Sequence, residues 1–261
     1  MTVQHPRSTA RRSRYAVIAA AVLSALACPD AALAQALDID QPEITKGEHE
    51  VKSVNVINGR YRPGSAGLPR SSHELSATYS PTDWFKVTAH LDAENVLADG
   101  WRLDHAAIET QFKLIEAGKS GGLGLGWFTN LQVSTDTLST NSLIFGPIVK
   151  LSGGRVSLTF NPYLEHTFGR NSGQGPNLVY GWEGRLGLQK GFAVGLQSFG
   201  KIENIGDAPP WRAQDHRVGP ALFLEWEAGT DRSIALDMAV LAGLTDAAPN
   251  VSLKFNLATT F

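Results

Sequence analysis

The sequence predicts an all-β fold, a transmembrane antiparallel up-and-down β-barrel of about 12 strands preceded by a signal peptide. Three observations carry this. Short segments of alternating apolar and polar residues, separated by Gly, Pro, Asp and Asn, recur from residue 46 to the end without a sustained helical period. The connections between them alternate between tight and long. The final segment, Val251 to Phe261, alternates almost without a break and stops on an aromatic residue.

In that final segment Val251, Leu253, Phe255, Leu257 and Phe261 share one face, and Ser252, Lys254, Asn256 and Thr260 share the other. Successive strand side chains point to opposite faces, so one face is greasy and one polar. The ending resembles the carboxy-terminal signature of bacterial outer-membrane barrels, and the resemblance makes Phe261 part of an assembly signal read by the barrel-assembly machinery.

At the other end, Arg7, Arg11, Arg12 and Arg14 precede a short apolar run, Tyr15 to Ala27, and Ala32-Leu33-Ala34 offers a small-x-small cleavage site before Gln35. The run is too short to span a bilayer and reads as a secretory signal over residues 1–34. A barrel that crosses unfolded needs the Sec route, so the Arg11-Arg12 pair is not read as a twin-arginine signal. Cys28, the only cysteine, lies in the leader behind Ala25-Leu26-Ala27, a poor lipobox. Cleavage near Ala34 therefore leaves no disulfide, thiolate metal site or cysteine nucleophile.

The leader holds four of the 23 basic and one of the 25 acidic residues, so the remaining chain carries a formal charge of −5. That mild acidity, without a basic cluster, argues against a nucleic-acid partner. No apolar run long enough for a membrane helix follows the leader. A membrane location then requires a closed barrel, in which strand pairing satisfies every backbone group.

Strands are expected at 46–60, 70–80, 84–94, 101–117, 122–132, 141–152, 155–168, 177–189, 192–203, 213–227, 233–243 and 250–261. Tight turns follow the even-numbered strands and longer loops the odd ones, the pattern of short periplasmic turns and longer outer loops. Lipid-facing sets include Phe85/Val87/Leu91, Leu123/Leu125/Trp127, Leu143/Phe145/Val149/Leu151, Leu178/Tyr180/Trp182 and Leu222/Leu224/Trp226. Tyr79, Phe85, Phe192, Trp226 and Phe261 on the periplasmic side, with Trp101, Trp211 and Phe168 outside, suit interfacial girdles. In the first strand Val51, Val54 and Val56 break register and imply a bulge. Residues 35–45 are expected to be a periplasmic lead-in to the barrel at 46–261, an inserted plug being the alternative.

Opposite the apolar sets lie Lys86, Glu109, Lys113, Lys150, Glu165, Glu183, Arg185, Lys201, Glu225, Asp237 and Lys254, joined by His90, Asp92, Asn161 and Tyr163. These define a charged lumen or solute path, and a mutually paired, stiffening network is the competing reading. Eight strands are filled by their own side chains and general porins use 16–18, so twelve leave a narrow lumen. Inward glycines, Gly124, Gly126, Gly146, Gly181, Gly187, Gly195 and Gly219 among them, either relieve curvature or leave room for a large neighbour or ligand.

A catalytic set is weak. Glu165 and His166 are strand neighbours on opposite faces, so Glu165 cannot orient His166 toward Ser172. His49, His73, His90, His105, His166 and His216 show no paired ligand spacing, so no metal and no cofactor are expected. They read as solvated or as members of the network.

Lys46-Gly47-Glu48, His73-Glu74-Leu75 running to Tyr79, Thr82-Asp83-Trp84-Phe85, and Gly243-Leu244-Thr245-Asp246-Ala247-Ala248-Pro249-Asn250 form a recognisable set. It resembles the outer-membrane transport family known as the MetA-pathway of phenol degradation family. The resemblance implies a barrel moving small, hydrophobic or aromatic molecules, without catalytic residues. The expected function is thus an outer-membrane channel for small solutes, with outer-membrane lipid as its surroundings. A structural or adhesive barrel and a lipid-modifying enzyme are the alternatives.

Overall fold

The computed structural model describes residues 37–59, 69–96, 100–118, 121–137, 139–229 and 232–261. The signal peptide, its cleavage site and Cys28 lie outside the described residues, as does most of the first outer loop. Twelve strands follow one another: β1 (His49–Asn58), β2 (Ser71–Tyr79), β3 (Phe85–Val96), β4 (Gly100–Ile115), β5 (Gly121–Ser134) and β6 (Asn141–Gly153). Then come β7 (Val156–Phe168), β8 (Asn177–Gln189), β9 (Phe192–Ile202), β10 (Asp215–Glu227), β11 (Ser233–Gly243) and β12 (Val251–Thr260). Each strand pairs antiparallel with its sequence neighbours, and β1 pairs with β12 from Glu50↔Thr260 to Asn58↔Ser252, closing the ring.

Closure leaves no sheet edge, and the faces divide as the alternation requires. Leu75, Leu91, Ile108, Leu131, Leu158, Leu196, Val240 and Leu253 are exposed on the outside. The intervening residues Ser76, His90, Asp92, Gln111, Asn130, Asn161, Glu183, Gln197 and Lys254 are buried on the inside. An apolar exterior around a polar, charged interior reverses the arrangement of a water-soluble barrel and suits lipid. Aromatic residues mark both rims. His49 stacks on Tyr79 at 4.7 Å and on Phe261 at 5.8 Å, and Trp84, Phe85 and Phe112 cluster beside the next turn. Trp101, Phe168 and Trp211 are exposed at the other end.

The turns at one end of the barrel, the end expected to face the periplasm, run from two residues (154–155) to five (80–84). Gly154 begins the two-residue turn with φ +60°, a left-handed conformation that favours glycine. Most loops at the opposite end are longer, and 203–214 contains a single 3-10 turn, Trp211–Ala213. Register shifts occur at Asp92/Ala93, Lys113/Ile115 and Gly187/Gln189.

One sequence-based expectation is corrected here. β1 has no bulge: its pairing is continuous with β12 and with β2. Val54 and Val56 point inward, 1% and 2% exposed, and Val56 packs into an apolar cluster inside the barrel. Ile108, halfway along β4 and 59% exposed, tests the assignment of faces. Ile108→Arg is expected to destabilise the lipid-embedded barrel by about 2–4 kcal/mol in urea unfolding from vesicles.

Candidate functional site

The interior is occupied by the chain that precedes β1. Leu37-Asp38-Ile39-Asp40-Gln41-Pro42-Glu43-Ile44 was expected to be a periplasmic lead-in, but it lies inside the barrel as the plug of the alternative reading. Its alternation explains how it is held. Leu37 and Ile39 pack with Val56 of β1, Phe199 of β9, Ala221 and Phe223 of β10, and Ala239 and Leu241 of β11. Burying each aliphatic side chain contributes roughly 1.5–3 kcal/mol.

The polar residues between them reach the walls. Lys52 Nζ of β1 contacts Asp38 Oδ2 at 2.5 Å, and Asn256 Nδ2 of β12 donates to Asp38 Oδ1 at 2.9 Å. The Asp40 amide donates to Asn161 Oδ1 of β7 at 2.8 Å, Asn161 Nδ2 donates back at 3.1 Å, and Tyr163 donates its hydroxyl to Asp40 Oδ2 at 2.8 Å. β1 and β7 are half a circumference apart, so two acidic residues two positions apart bridge opposite walls. Gln41 accepts from Gln111 of β4 and Thr159 of β7 and donates to Glu183 of β8. Nearer the periplasmic end, Lys150 pairs with Glu43 at 2.8 Å and Lys113 donates to the Ile44 carbonyl at 3.2 Å.

Some of the inward glycines make this fit possible. A Cβ on Gly181 would lie 2.5 Å from Ile39 Cδ1, and one on Gly124 would lie 3.1 Å from Pro42 Cγ. These positions leave room for a large neighbour. Gly195 and Gly219 instead face backbone oxygens of adjacent strands, at 2.0 and 1.8 Å from the built Cβ, so strand approach is their reason.

Beside the plug runs the central charge network. Arg185 donates two hydrogen bonds to the Glu183 carboxylate, one from Nη2 at 3.1 Å. Gln197 Nε2 donates to Glu183 at 2.6 Å and to Asp237 at 3.0 Å. Lys254 Nζ donates to Asp237 at 2.6 Å and to Gln197 Oε1 at 3.0 Å. Lys254 also lies over the Phe199 ring, and the Arg185 guanidinium sits 4.0 Å above Phe223. Toward the outer mouth, Lys201 pairs with Glu165 at 2.6 Å, and Arg217 pairs with Asp215 while donating to Asn58 and Ser252.

The network separates two cavities. Along β9, Phe199 and Lys201 line an outer space of about 40 Å³, Gln197 belongs to the network, and Ala193 lines a periplasmic space of about 220 Å³. The same order holds on β8 with Gly181, Glu183 and Arg185. The larger space, which Asp237 and Glu225 also border, exceeds the roughly 150 Å³ that admits benzene. The smaller one has room for little more than water.

The eleven charged residues predicted for the lumen are therefore distributed. Glu183, Arg185, Asp237 and Lys254 form one network; Glu165 and Lys201 pair higher up; Lys113 and Lys150 hold the plug. Lys86 is half-buried on the inner face of β3, Glu109 joins His90, and Glu225 is exposed near the periplasmic rim. Sequence reading missed the second apolar cluster inside the barrel, Phe128, Ile144, Ile148, Tyr163 and Val179. Its signal was present in β6, where Leu143, Ile144 and Phe145 run without alternation. His166 and Ser172 are exposed, whereas Glu165 is buried and bound to Lys201, so the three do not converge.

These features define a membrane-type β-barrel with a plugged interior. Among solved structures, the fold is similar to the COG4313 outer membrane channel from Pseudomonas putida F1, with TM-score 0.59 and 13% identity over 86% of this chain and 100% of that one. The NanC porin matches with TM-score 0.48 and 13% identity, over 82% of this chain and 98% of the porin. Pseudomonas aeruginosa OprD matches with TM-score 0.40 and 12% identity over 82% of this chain, which spans 66% of the OprD length. At such identities the likeness concerns the fold. No protein-family model matches the chain, and no curated protein matches it in sequence.

Lys254 is 2% exposed, and its removal leaves the Asp237 carboxylate without its cation. Lys254→Met is expected to cost about 3–5 kcal/mol, the usual penalty for stranding one partner of a buried pair. Urea titration of the detergent-folded barrel, followed by tryptophan fluorescence, measures it.

Proposed function

We propose that the protein is a narrow outer-membrane channel for small solutes, hydrophobic or aromatic ones among them, and that its plug must shift for solute to pass. The observation that carries this reading is the way residues 37–44 are held. Their polar residues are attached to wall side chains by hydrogen bonds and ion pairs, contacts that water or solute can replace one at a time. Lys86, Glu109, Glu183, Arg185, Asp237 and Lys254 then line the path, and the 220 Å³ space is its periplasmic vestibule.

The same reading covers export. Leu37 sits beside Lys201, Asp215 and Arg217, toward the outer half of the lumen. An uncleaved leader would have to thread past these residues, whereas cleavage near Ala34 leaves only a short stub ahead of Leu37. Sec-dependent export, cleavage and recognition of Phe261 by the barrel-assembly machinery complete the proposal. Intact-mass measurement of the protein from outer membranes is expected to place the first residue at Gln35; a retained leader would contradict it.

A structural barrel that passes nothing is the second reading, favoured by the two apolar clusters and the bonded network that fill much of the interior. Liposome swelling separates the two. Detergent-folded protein is expected to admit a small sugar, amino acid or aromatic acid slowly. Deletion of 37–44, or Gly181→Leu, which claims the place of Ile39 Cδ1, should speed this severalfold. If the folded deletion variant is as impermeable as empty vesicles, the channel reading fails and the structural one stands.

A further inference from the structure

We propose that Glu74, His90 and Asp92 form a binding site for one divalent first-row metal ion, Zn²⁺ foremost, on the inner wall of β2 and β3. The site does not depend on whether the lumen conducts. It arises from strand register. Glu74 of β2 and Asp92 of β3 are directly opposed partners, and His90 is two residues along β3 on the same face. Two carboxylates facing each other across neighbouring strands repel, and a cation between them turns that repulsion into attraction.

The distances suit a metal. His90 Nδ1 lies 3.1 Å from Asp92 Oδ1 and 3.8 Å from Glu74 Oε2. One ligand atom from each of the three residues falls within 4.8 Å of the others. Zinc bonds of about 2.0–2.2 Å place neighbouring ligand atoms roughly 3.3 Å apart, so little adjustment is needed. All three residues are buried.

The second nitrogen of His90 supplies an independent argument. Its Nε2 lies 3.4 Å from Glu109 Oε1 on β4 and 3.3 Å from the Asn130 side-chain amide on β5. A metal-bound imidazole characteristically gives its other N–H to a carboxylate, which fixes the tautomer and the ring orientation. Nδ1 is within hydrogen-bond distance of Asp92 Oδ1, and a metal that displaces its proton to Nε2, facing Glu109, leaves the Nδ1 lone pair toward Glu74 and Asp92. Asn130 is 4% exposed, and its Oδ1 has no hydrogen-bond partner in the structure. A buried acceptor left unsatisfied is costly, and turning the amide over presents this oxygen to Nε2–H in the metal-binding tautomer, in place of the Nδ2 donor.

The donor set identifies the class of ion. An imidazole with two carboxylates and no thiolate suits Zn²⁺ and its first-row neighbours, whereas Ca²⁺ and Mg²⁺ take all-oxygen shells.

Isothermal titration of untagged, chelator-stripped, detergent-folded full chain with ZnCl₂ tests the site, with Co²⁺ absorption as a second readout. One saturable Zn²⁺ per chain is expected. His90→Gln and Asp92→Asn should abolish it, and Glu109→Gln should weaken it by about 10- to 100-fold while keeping the stoichiometry. His166→Gln, on the exposed outer face, should change nothing. Heat-modifiable gel migration confirms that each variant is folded, and if His90→Gln does not fold, the near-isosteric Asp92→Asn decides. Wild-type protein that takes up no zinc, or folded His90→Gln and Asp92→Asn variants that bind as wild type does, would overturn the proposal.

Discussion

Closing twelve strands into a ring fixes the width of the interior, and that width governs the rest of the molecule. Eight strands can be filled by their own side chains; twelve leave a gap that must hold water, solute or more protein. Here the gap is shared. Residues 37–44 take the centre, two apolar clusters take adjoining arcs of the wall, and charged side chains occupy what remains. Glycine at 124 and 181 and inward valine at 54 and 56 are consequences of the same filling.

Most of the wall charges are arranged in bonded groups, not as isolated ions. Burying a charge is expensive and is offset only when hydrogen bonds take up its remaining capacity. Glu183 illustrates the condition: 1% exposed, it accepts from Arg185, Gln197 and Gln41. The network therefore contributes little net stability relative to an apolar core of equal volume, but it fixes which side chains stand between the two cavities.

Much of this was legible in the residues, for reasons that also mark where legibility ends. Strand positions and outer faces followed from alternation, because a lipid-facing surface tolerates few exceptions; β12 reads as cleanly in the structure as in the sequence. The plug was not legible as such. Leu37, Ile39 and Ile44 interleave with Asp38, Asp40 and Glu43, and an edge-free extended segment carries no local mark of what surrounds it. Its trace lay elsewhere, in the inward valines of β1 and the glycines of β5 and β8. The grouping around His90 was half visible: His90-x-Asp92 places both on one face of β3, but Glu74 joins them only through register.

The attachment of Asp38 has a mechanical consequence. Its two carboxylate oxygens hold Lys52 on β1 and Asn256 on β12, the first and last staves of the barrel, which meet only at closure. The plug is thus also a rivet across the seam. Drawing it out of the lumen would remove a clasp from that joint, so the same two hydrogen bonds add both to the hold on the plug and to the β1–β12 ladder across the seam.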